Sequence, residues 1–473
     1  MTVDRENDLT NRTIRANEPS SCRTSQSVLA DSVYILVILN RALRGEDNPV
    51  IDAAQTHASQ LNLGVVVYSE LDETVDYASE RLFYFVLGAY RETAIALAKR
   101  NIKCVQVIKK VGDEDLLRSL TSKAVAIYTD EDYTHWDRAK IQRILNVATQ
   151  EVFLVDASRL VPTRQLPQNL KTTPEFRKAH GKLRDRYLAL RQAVNENQLK
   201  VETTVEDIAS EHNFAQYDDA ALAKLVKRLD INRNLKISKE HPPTQAEVTK
   251  RIATLKTEIL AKYKWIRNNP ALEYSTSQLS PYLHFGMVSP QQILIEIESS
   301  NIPKSHTWKF RDEFLTWREW FHYLAFYNPN LHSYDSLPNE ARKTLEDHAD
   351  DPRPDLCSFE HILQGNTSDR TWNAAQREWL NTGWLHNNLR MYWAKQILRF
   401  TTTPQKAWDI ACYLNDSISI DGRDPATYGS IRWAFGDGKP GYSEKPIYGT
   451  VAPKSDRAIL KREGMKEWIE TRT

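Results

Sequence analysis

The sequence predicts an α/β domain followed by an all-helical domain. Three observations predict it: five short β-branched runs in the first third of the chain, amphipathic stretches between them, and an almost unbroken helical pattern from Thr244 to about Asn415. At 473 residues the chain exceeds one ordinary domain and suits two, each burying a core of its own.

The runs are Val33–Leu39, Leu63–Tyr68, Lys103–Ile108, Ala124–Tyr128 and Glu151–Val155, with helical periods over 48–61, 78–100, 113–120 and 136–149 between them. This alternation gives a doubly wound, parallel, five-stranded sheet, because right-handed crossovers lay the helices over its faces. Such a sheet takes ligands at its C-terminal strand edge. Yet Asn40-Arg41-Ala42-Leu43-Arg44 stands where GxGxxG would follow the first strand, and GxxxxGK[ST] occurs nowhere, so Rossmann dinucleotide and P-loop readings lose weight. Residues 1–27 are polar, lack the apolar core of a secretory signal, and read as a disordered tail. The α/β domain is expected over 28–160. Polar residues 161–243, with charged helical pieces at 174–193 and 219–229, read as an interdomain connector. The helical domain is expected over 244–473, with helices at 245–267, 290–299, 309–327, 372–381 and 385–400.

The longest apolar stretch, Val33–Leu39, falls far short of the ~20 residues of a membrane span, so no membrane partner is expected. Cys22, Cys104, Cys357 and Cys412 fall into no metal-ligand or disulfide spacing, which predicts no metal and a reducing, intracellular setting: cytoplasmic, or nuclear in a eukaryote. A formal charge of +1 neither supports nor excludes nucleic acid, so any DNA contact must rest on a local basic surface. The chain carries 12 Trp and 20 Tyr against 15 Gly, a load that either fills a helical core or surrounds something conjugated.

Four segments carry candidate chemistry. Ser275-Thr276-Ser277-Gln278-Leu279-Ser280-Pro281 places hydroxyls before a helix start, either as a plain cap or as a seat for an anion such as a pyrophosphate. Asp421-Gly422-Arg423-Asp424-Pro425 crowds three charges between apolar residues, so the cluster either neutralises itself or holds a polar ligand. Within Phe310–Trp320, Glu313 and Trp317 are four apart and share a helix face, pairing a carboxyl with a flat apolar surface. Within Trp384–Lys395, Asn387, Arg390 and Met391 form one stripe, with Trp393 turned elsewhere.

Together and in this order, TSQLSPYLHFG, EFLTWRE, TWNAAQ with LHNNLRMYWAK, and YLNDSISIDGRDPATYG with Trp433 resemble the flavin-binding domain of the photolyase and cryptochrome superfamily, and most of all class II cyclobutane pyrimidine dimer photolyases. The resemblance covers roughly residues 260 to 450, and the superfamily places an antenna-type α/β domain ahead of the helical one. It implies a U-shaped FAD with its phosphates near Thr276, Ser277 and Ser280, and Tyr263 beside them. Arg390 and Asp421 would flank the isoalloxazine ring, Arg318 and Asn387 would lie close, and Asn415 would face flavin N5, where an amide serves either protonation state. Glu313, Trp317, Met391 and Trp433 would line the pocket for an extruded dimer, with Glu313 hydrogen-bonding its edge as a protonated or proton-sharing acid. Trp393 and Trp372 match the first two positions of a photoreduction chain. The third holds Phe400, which leaves Tyr392, Trp384 and Trp379 as other exits for the hole.

The activity implied is that of a deoxyribodipyrimidine photolyase: light-driven splitting of cyclobutane pyrimidine dimers by an electron from excited reduced FAD, with ultraviolet-damaged DNA as partner and the protein acting as a monomer. The alternative is a cryptochrome-like blue-light photoreceptor that binds FAD without repairing DNA. The chain also departs from the pattern. Ala434–Gly441 replaces an expected histidine-containing loop, the basic tail differs, LHNNLR is closer to class I members, and no residues mark a pocket for a second, deazaflavin-type antenna chromophore.

Overall fold

The computed structural model describes residues 2–17, 33–110, 116–189, 212–438 and 441–473. Parts of the expected tail, of the helical stretches 113–120 and 174–193, and of the loop 434–441 lie outside the described residues. The chain divides into two compact units: Met1–Ile231 with Pro242–Thr249 and Tyr282–Ser300, and Asn232–His241 with Lys250–Pro281 and Asn301–Thr473.

The first unit holds the predicted sheet. Strands β1 (Thr13–Arg15), β2 (Tyr34–Ile38), β3 (Gly64–Asp72), β4 (Lys103–Lys109), β5 (Ala124–Asp130) and β6 (Glu151–Val155) lie in the order β1-β6-β5-β2-β3-β4. Strands β2 to β6 pair in parallel, as their buried β-branched runs require, and β1 adds a sixth, antiparallel edge. This corrects the disordered tail: Thr2–Arg12 is helix α1, leading directly into β1. Arg12 fixes it there, donating to the carbonyls of Asp156, Arg159 and Leu160 at 3.2, 3.0 and 2.8 Å.

The crossovers follow their capping signals. Asn48 caps α2 (Pro49–Leu61), Ser79 caps α3 (Glu80–Ala98), and Thr134 with Asp137 forms a capping box on α5 (His135–Val147); α4 is Leu116–Ser122. The strand order reverses between β2 and β5, the crevice where such sheets bind phosphates. Here the Asp130 carboxylate fills it, accepting from the backbone N–H groups of Asn40, Arg41 and Ala42 at 2.7, 2.7 and 3.2 Å. A protein carboxylate thus takes up the backbone N–H groups that follow β2.

The expected connector is not a free-standing stretch. Gln106 on the edge strand β4 donates its backbone N–H to the His212 carbonyl at 2.5 Å and accepts from Phe214 at 3.2 Å, while Arg91 pairs with Asp219 at 2.7 Å. These residues cover an otherwise open sheet edge. No helix among the described residues is long and apolar enough to cross a membrane.

The second unit is helical, built around α6 (Arg370–Thr382), α7 (Asn387–Phe400), α8 (Pro404–Ile418) and α9 (Pro425–Arg432). Trp372, Trp379, Trp393 and Trp408 are fully buried in its core with Tyr392, Phe400 and Phe435. Two predicted helices are interrupted. The stretch 245–267 is helix Gln245–Thr254, a π-helical turn Leu255–Ile259 and helix Tyr263–Ile266, and 309–327 carries a π-helical turn Asp312–Trp317 between Lys304–Arg311 and Arg318–Tyr327. A 3.6-residue period does not register such turns, which often accompany functional sites.

Candidate functional site

The charges of the Asp421–Pro425 cluster turn to different partners. Arg423, in a left-handed conformation at φ 58°, turns back on the end of α8: its backbone N–H donates to Asp416 Oδ1 at 2.9 Å and its guanidinium to the Asp416 carbonyl. Asp424 caps α9 through the Ala426 N–H at 2.8 Å. These two charges neutralise locally, which leaves Asp421 to face α7. There Arg390 Nη2 donates to Asp421 Oδ1 at 2.8 Å and to Ser419 Oγ at 3.2 Å. Burial raises the Asp421 carboxyl, but the Arg390 charge and hydrogen bonds from Ser280, Ser419 and Arg390 outweigh it and hold the group below its ordinary value. Ser280, predicted from a separate segment, thereby joins the same group, and its Oγ also accepts from the Trp384 indole at 3.1 Å.

A second group forms around Arg267, which motif reading missed. It pairs with Glu313 Oε1 at 2.9 Å and lies 5.7 Å from the Tyr263 ring centroid, so the predicted cofactor residue Tyr263 and the predicted substrate residue Glu313 share one cation. Lys309 reaches the same Glu313 oxygen at 2.6 Å. The one available signal was the i, i+4 spacing of Tyr263 and Arg267 on one helical turn.

The predicted tryptophans come together. Trp372 and Trp393 stack at 5.7 Å with planes 12° apart, Trp379 stands edge-on to Trp393 at 5.0 Å, and Arg390 lies 5.3 Å from the Trp379 centroid. Their indole N–H groups are satisfied: Trp393 donates to Gln376 at 2.8 Å, Trp372 to the Trp393 carbonyl at 3.1 Å, and Trp379 to Ser419 at 3.2 Å.

His386, also missed, caps α7 by accepting from the Asn388 N–H at its Nδ1 at 3.1 Å. Burial first, then the charges of Arg267, Lys454 and Arg390, push its pKa down to about 3. The ring is therefore neutral with its proton on Nε2, which the Arg267 backbone carbonyl accepts. Arg267 Nε itself is a buried donor without a hydrogen-bond partner.

The remaining predicted residues are less engaged. Asn415 is buried, with one amide N–H on the Ala411 carbonyl at 2.8 Å, which leaves Oδ1 and its second N–H. Trp433 is half-buried beneath Lys395, whose Nζ is 5.8 Å from the ring centroid and donates to the Ala434 and Ala452 carbonyls at 2.7 Å each. Trp317, Met391 and Arg318 are half-buried, as are Thr276 and Ser277 in the loop before helix Ser280–His284. Asn387 is exposed at the first turn of α7 and joins neither group.

An α/β unit with this strand order, followed by an aromatic-cored helical unit, is the architecture of photolyases. A bacterial class III photolyase from Agrobacterium tumefaciens superposes with a TM-score of 0.67 at 17% identity, over 96% of this chain and 88% of that one. The deoxyribodipyrimidine photo-lyase of Methanothermobacter thermautotrophicus is 27% identical over 440 residues, 92% of this chain and 94% of its own length. That of Arabidopsis thaliana is 39% identical over 198 residues, which span 41% of this chain and only 40% of the plant protein. No protein-family model matches the chain. The chain belongs to the photolyase and cryptochrome superfamily, whose photolyases bind FAD, and its curated relatives include deoxyribodipyrimidine photo-lyases.

Proposed function

We propose that this protein is a light-driven repair enzyme that splits cyclobutane pyrimidine dimers in ultraviolet-damaged DNA, using FAD held in its helical unit. The observation that carries the reading is the double engagement of Arg390, which binds Asp421 at 2.8 Å and lies over Trp379 at 5.3 Å. One residue thereby links the predicted flavin anchor to an array of oxidisable indoles.

The residues present suit the cofactor. The buried donor Arg267 Nε lacks a protein partner, and an unmet buried donor costs about 1–3 kcal/mol unless a ligand meets it. Arg390 and Asp421 would flank the ring, and Asn415 would offer N5 either its amide oxygen or its remaining N–H. Thr276, Ser277 and Ser280, with Tyr263, would hold the phosphates, and Arg318 and Asn387 would lie nearby. When bound, FAD supplies the light-driven electron and accepts it back after the ring opens.

The chain itself supplies the grip on the lesion. A thymine dimer stacks and pairs poorly, so extruding it costs less than extruding normal bases, and aromatic walls such as Trp317 and Trp433 recover about 1–3 kcal/mol per base. Met391 would close the same pocket. Glu313 would meet the dimer edge from a group in which Arg267 and Lys309 both hold its Oε1. Lys309 also lies 5.7 Å from the Trp308 ring centroid, and Lys264 lies over Trp265 at 4.1 Å. Trp308 is 52% and Trp265 56% exposed, so cations and bare indoles continue outward from Glu313 as a surface suited to a DNA strand.

The test is to incubate the reduced protein with a dimer-containing oligonucleotide under near-ultraviolet or blue light, with a dark control. Thymines restored only in the light support repair. Firmly bound FAD with untouched lesions would replace repair with photoreception.

A further inference from the structure

Beyond Trp372 the chain of indoles stops at Phe400. Trp372 meets Phe400 edge-on at 5.3 Å, and Phe400 is fully buried, so an oxidised Trp372 has there neither an oxidisable neighbour nor a route to solvent. Asp369, the cap of α6, accepts the Trp372 backbone N–H on its Oδ1 at 3.0 Å. Its Oδ2 accepts the Tyr392 hydroxyl. One carboxylate thus joins the Trp372 main chain to the Tyr392 phenol.

We propose that Tyr392, with Asp369 as its proton acceptor, is the terminal electron donor in place of a tryptophan where Phe400 stands. This rests on the flavin reading above. With FAD bound as the light-activated oxidant, Trp393 would give up one electron and draw one from Trp372, leaving the Trp372 radical cation. The Trp372 radical cation then takes one electron from Tyr392 while the phenolic proton crosses the hydrogen bond to Asp369 Oδ2. The products are neutral Trp372, a neutral tyrosyl radical and a protonated Asp369, so charge and protons balance. An external thiol later returns a hydrogen atom's equivalent to Tyr392.

Two features support the assignment. Burial, then the Asp369 charge and its hydrogen bond, push the Tyr392 phenol far above its ordinary pKa, so the phenol stays protonated until oxidised and its proton must leave with the electron. A cleft of about 370 Å³ lined by Asp369, Tyr392, Gln396, Arg399, Tyr448 and Lys454 opens beside the pair, giving a reductant access that buried Phe400 denies. Tyr448 shares the cleft, but its hydroxyl donates to the Lys395 carbonyl at 3.2 Å, which cannot take a proton.

The test is light-induced electron paramagnetic resonance on the FAD-loaded, oxidised protein with ring-deuterated tyrosine, compared with transient tryptophan-radical absorbance. The expected result is a tyrosyl signal that Tyr392→Phe removes while the tryptophan radical lives several-fold longer, and that Tyr448→Phe leaves intact. Asp369→Asn still caps the helix but takes no proton, and should slow tyrosyl formation several-fold. Independently of flavin, the Tyr392 phenol should resist ionisation in the wild-type protein but titrate at lower pH in Asp369→Asn. A tyrosyl signal that survives Tyr392→Phe, or tryptophan radicals with no tyrosyl radical at all, overturns this assignment alone. A protein that holds no flavin overturns the function proposed above, and this one with it.

Discussion

The Trp393 and Trp372 indoles lie nearly parallel, 12° apart in plane with centroids separated by 5.7 Å, and both are fully shielded from water. Stacking at this spacing couples two oxidisable rings in a medium that cannot quench a radical cation quickly. Trp393→Phe keeps an aromatic ring in the core but removes the oxidisable indole. Light-driven FAD reduction in the purified protein should fall by about an order of magnitude or more, with bound FAD unchanged. Equal rates before and after the substitution would remove the array from photoreduction.

Asp421 is the carboxylate that pairs with Arg390 among the described residues, and both side chains are largely buried, 8% and 14% exposed. Removing its charge strands a buried guanidinium, which costs about 3 kcal/mol at the lower end for such pairs because the amide still accepts a hydrogen bond. Asp421→Asn should therefore lower the melting temperature and release FAD. The flavin-to-protein absorbance ratio after gel filtration reads this directly, and a retained ratio would place the flavin elsewhere.

Glu313 gathers Arg267 and Lys309 on one oxygen without touching Arg390 or Asp421. Its loss should thus spare the cofactor and harm the lesion chemistry. Glu313→Ala is expected to cut repair yield per absorbed photon while the bound-FAD ratio stays at the wild-type level. An unchanged yield would exclude Glu313 from the reaction.

How much of this was legible follows from which forces act locally. Strands β2 to β6 stood out because a strand buried on both faces must be an apolar, β-branched run. Strand β1 did not, because Thr13–Arg15 is polar and is held by Arg12 reaching carbonyls more than a hundred residues away. The motif residues Arg390, Asp421 and Ser280 were named in advance and meet in one group. Arg267, Lys309 and Ser419 were not, because a surface-like Lys, Arg or Ser acquires its role only when distant segments pack beside it. The π-helical turn carrying Glu313 and Trp317 escaped too, since its bond from the Arg318 N–H to the Glu313 carbonyl lies outside the helical period.

Two buried groups should oppose each other as pH falls. His386 has its pKa lowered to about 3, so the folded state resists its protonation: the stability it contributes is full above the unfolded value of 6.5 and drains away as pH drops towards 3. Asp416 is raised to about 6 by burial, against the Arg423 charge and the Tyr428 hydrogen bond, so its contribution is full below the unfolded 3.8 and is lost as pH rises through 6. Each shift corresponds to roughly 3 kcal/mol between pH values of about 4 and 7. Asp416→Asn keeps an acceptor for Tyr428 but removes the stabilising acid form, so denaturation midpoints should fall more steeply on acidification than in the wild type. His386→Asn keeps an acceptor for the Asn388 N–H but cannot be protonated, so the fall should be shallower. If the two variants change the slope in the same direction, at least one of these burial effects has the wrong sign.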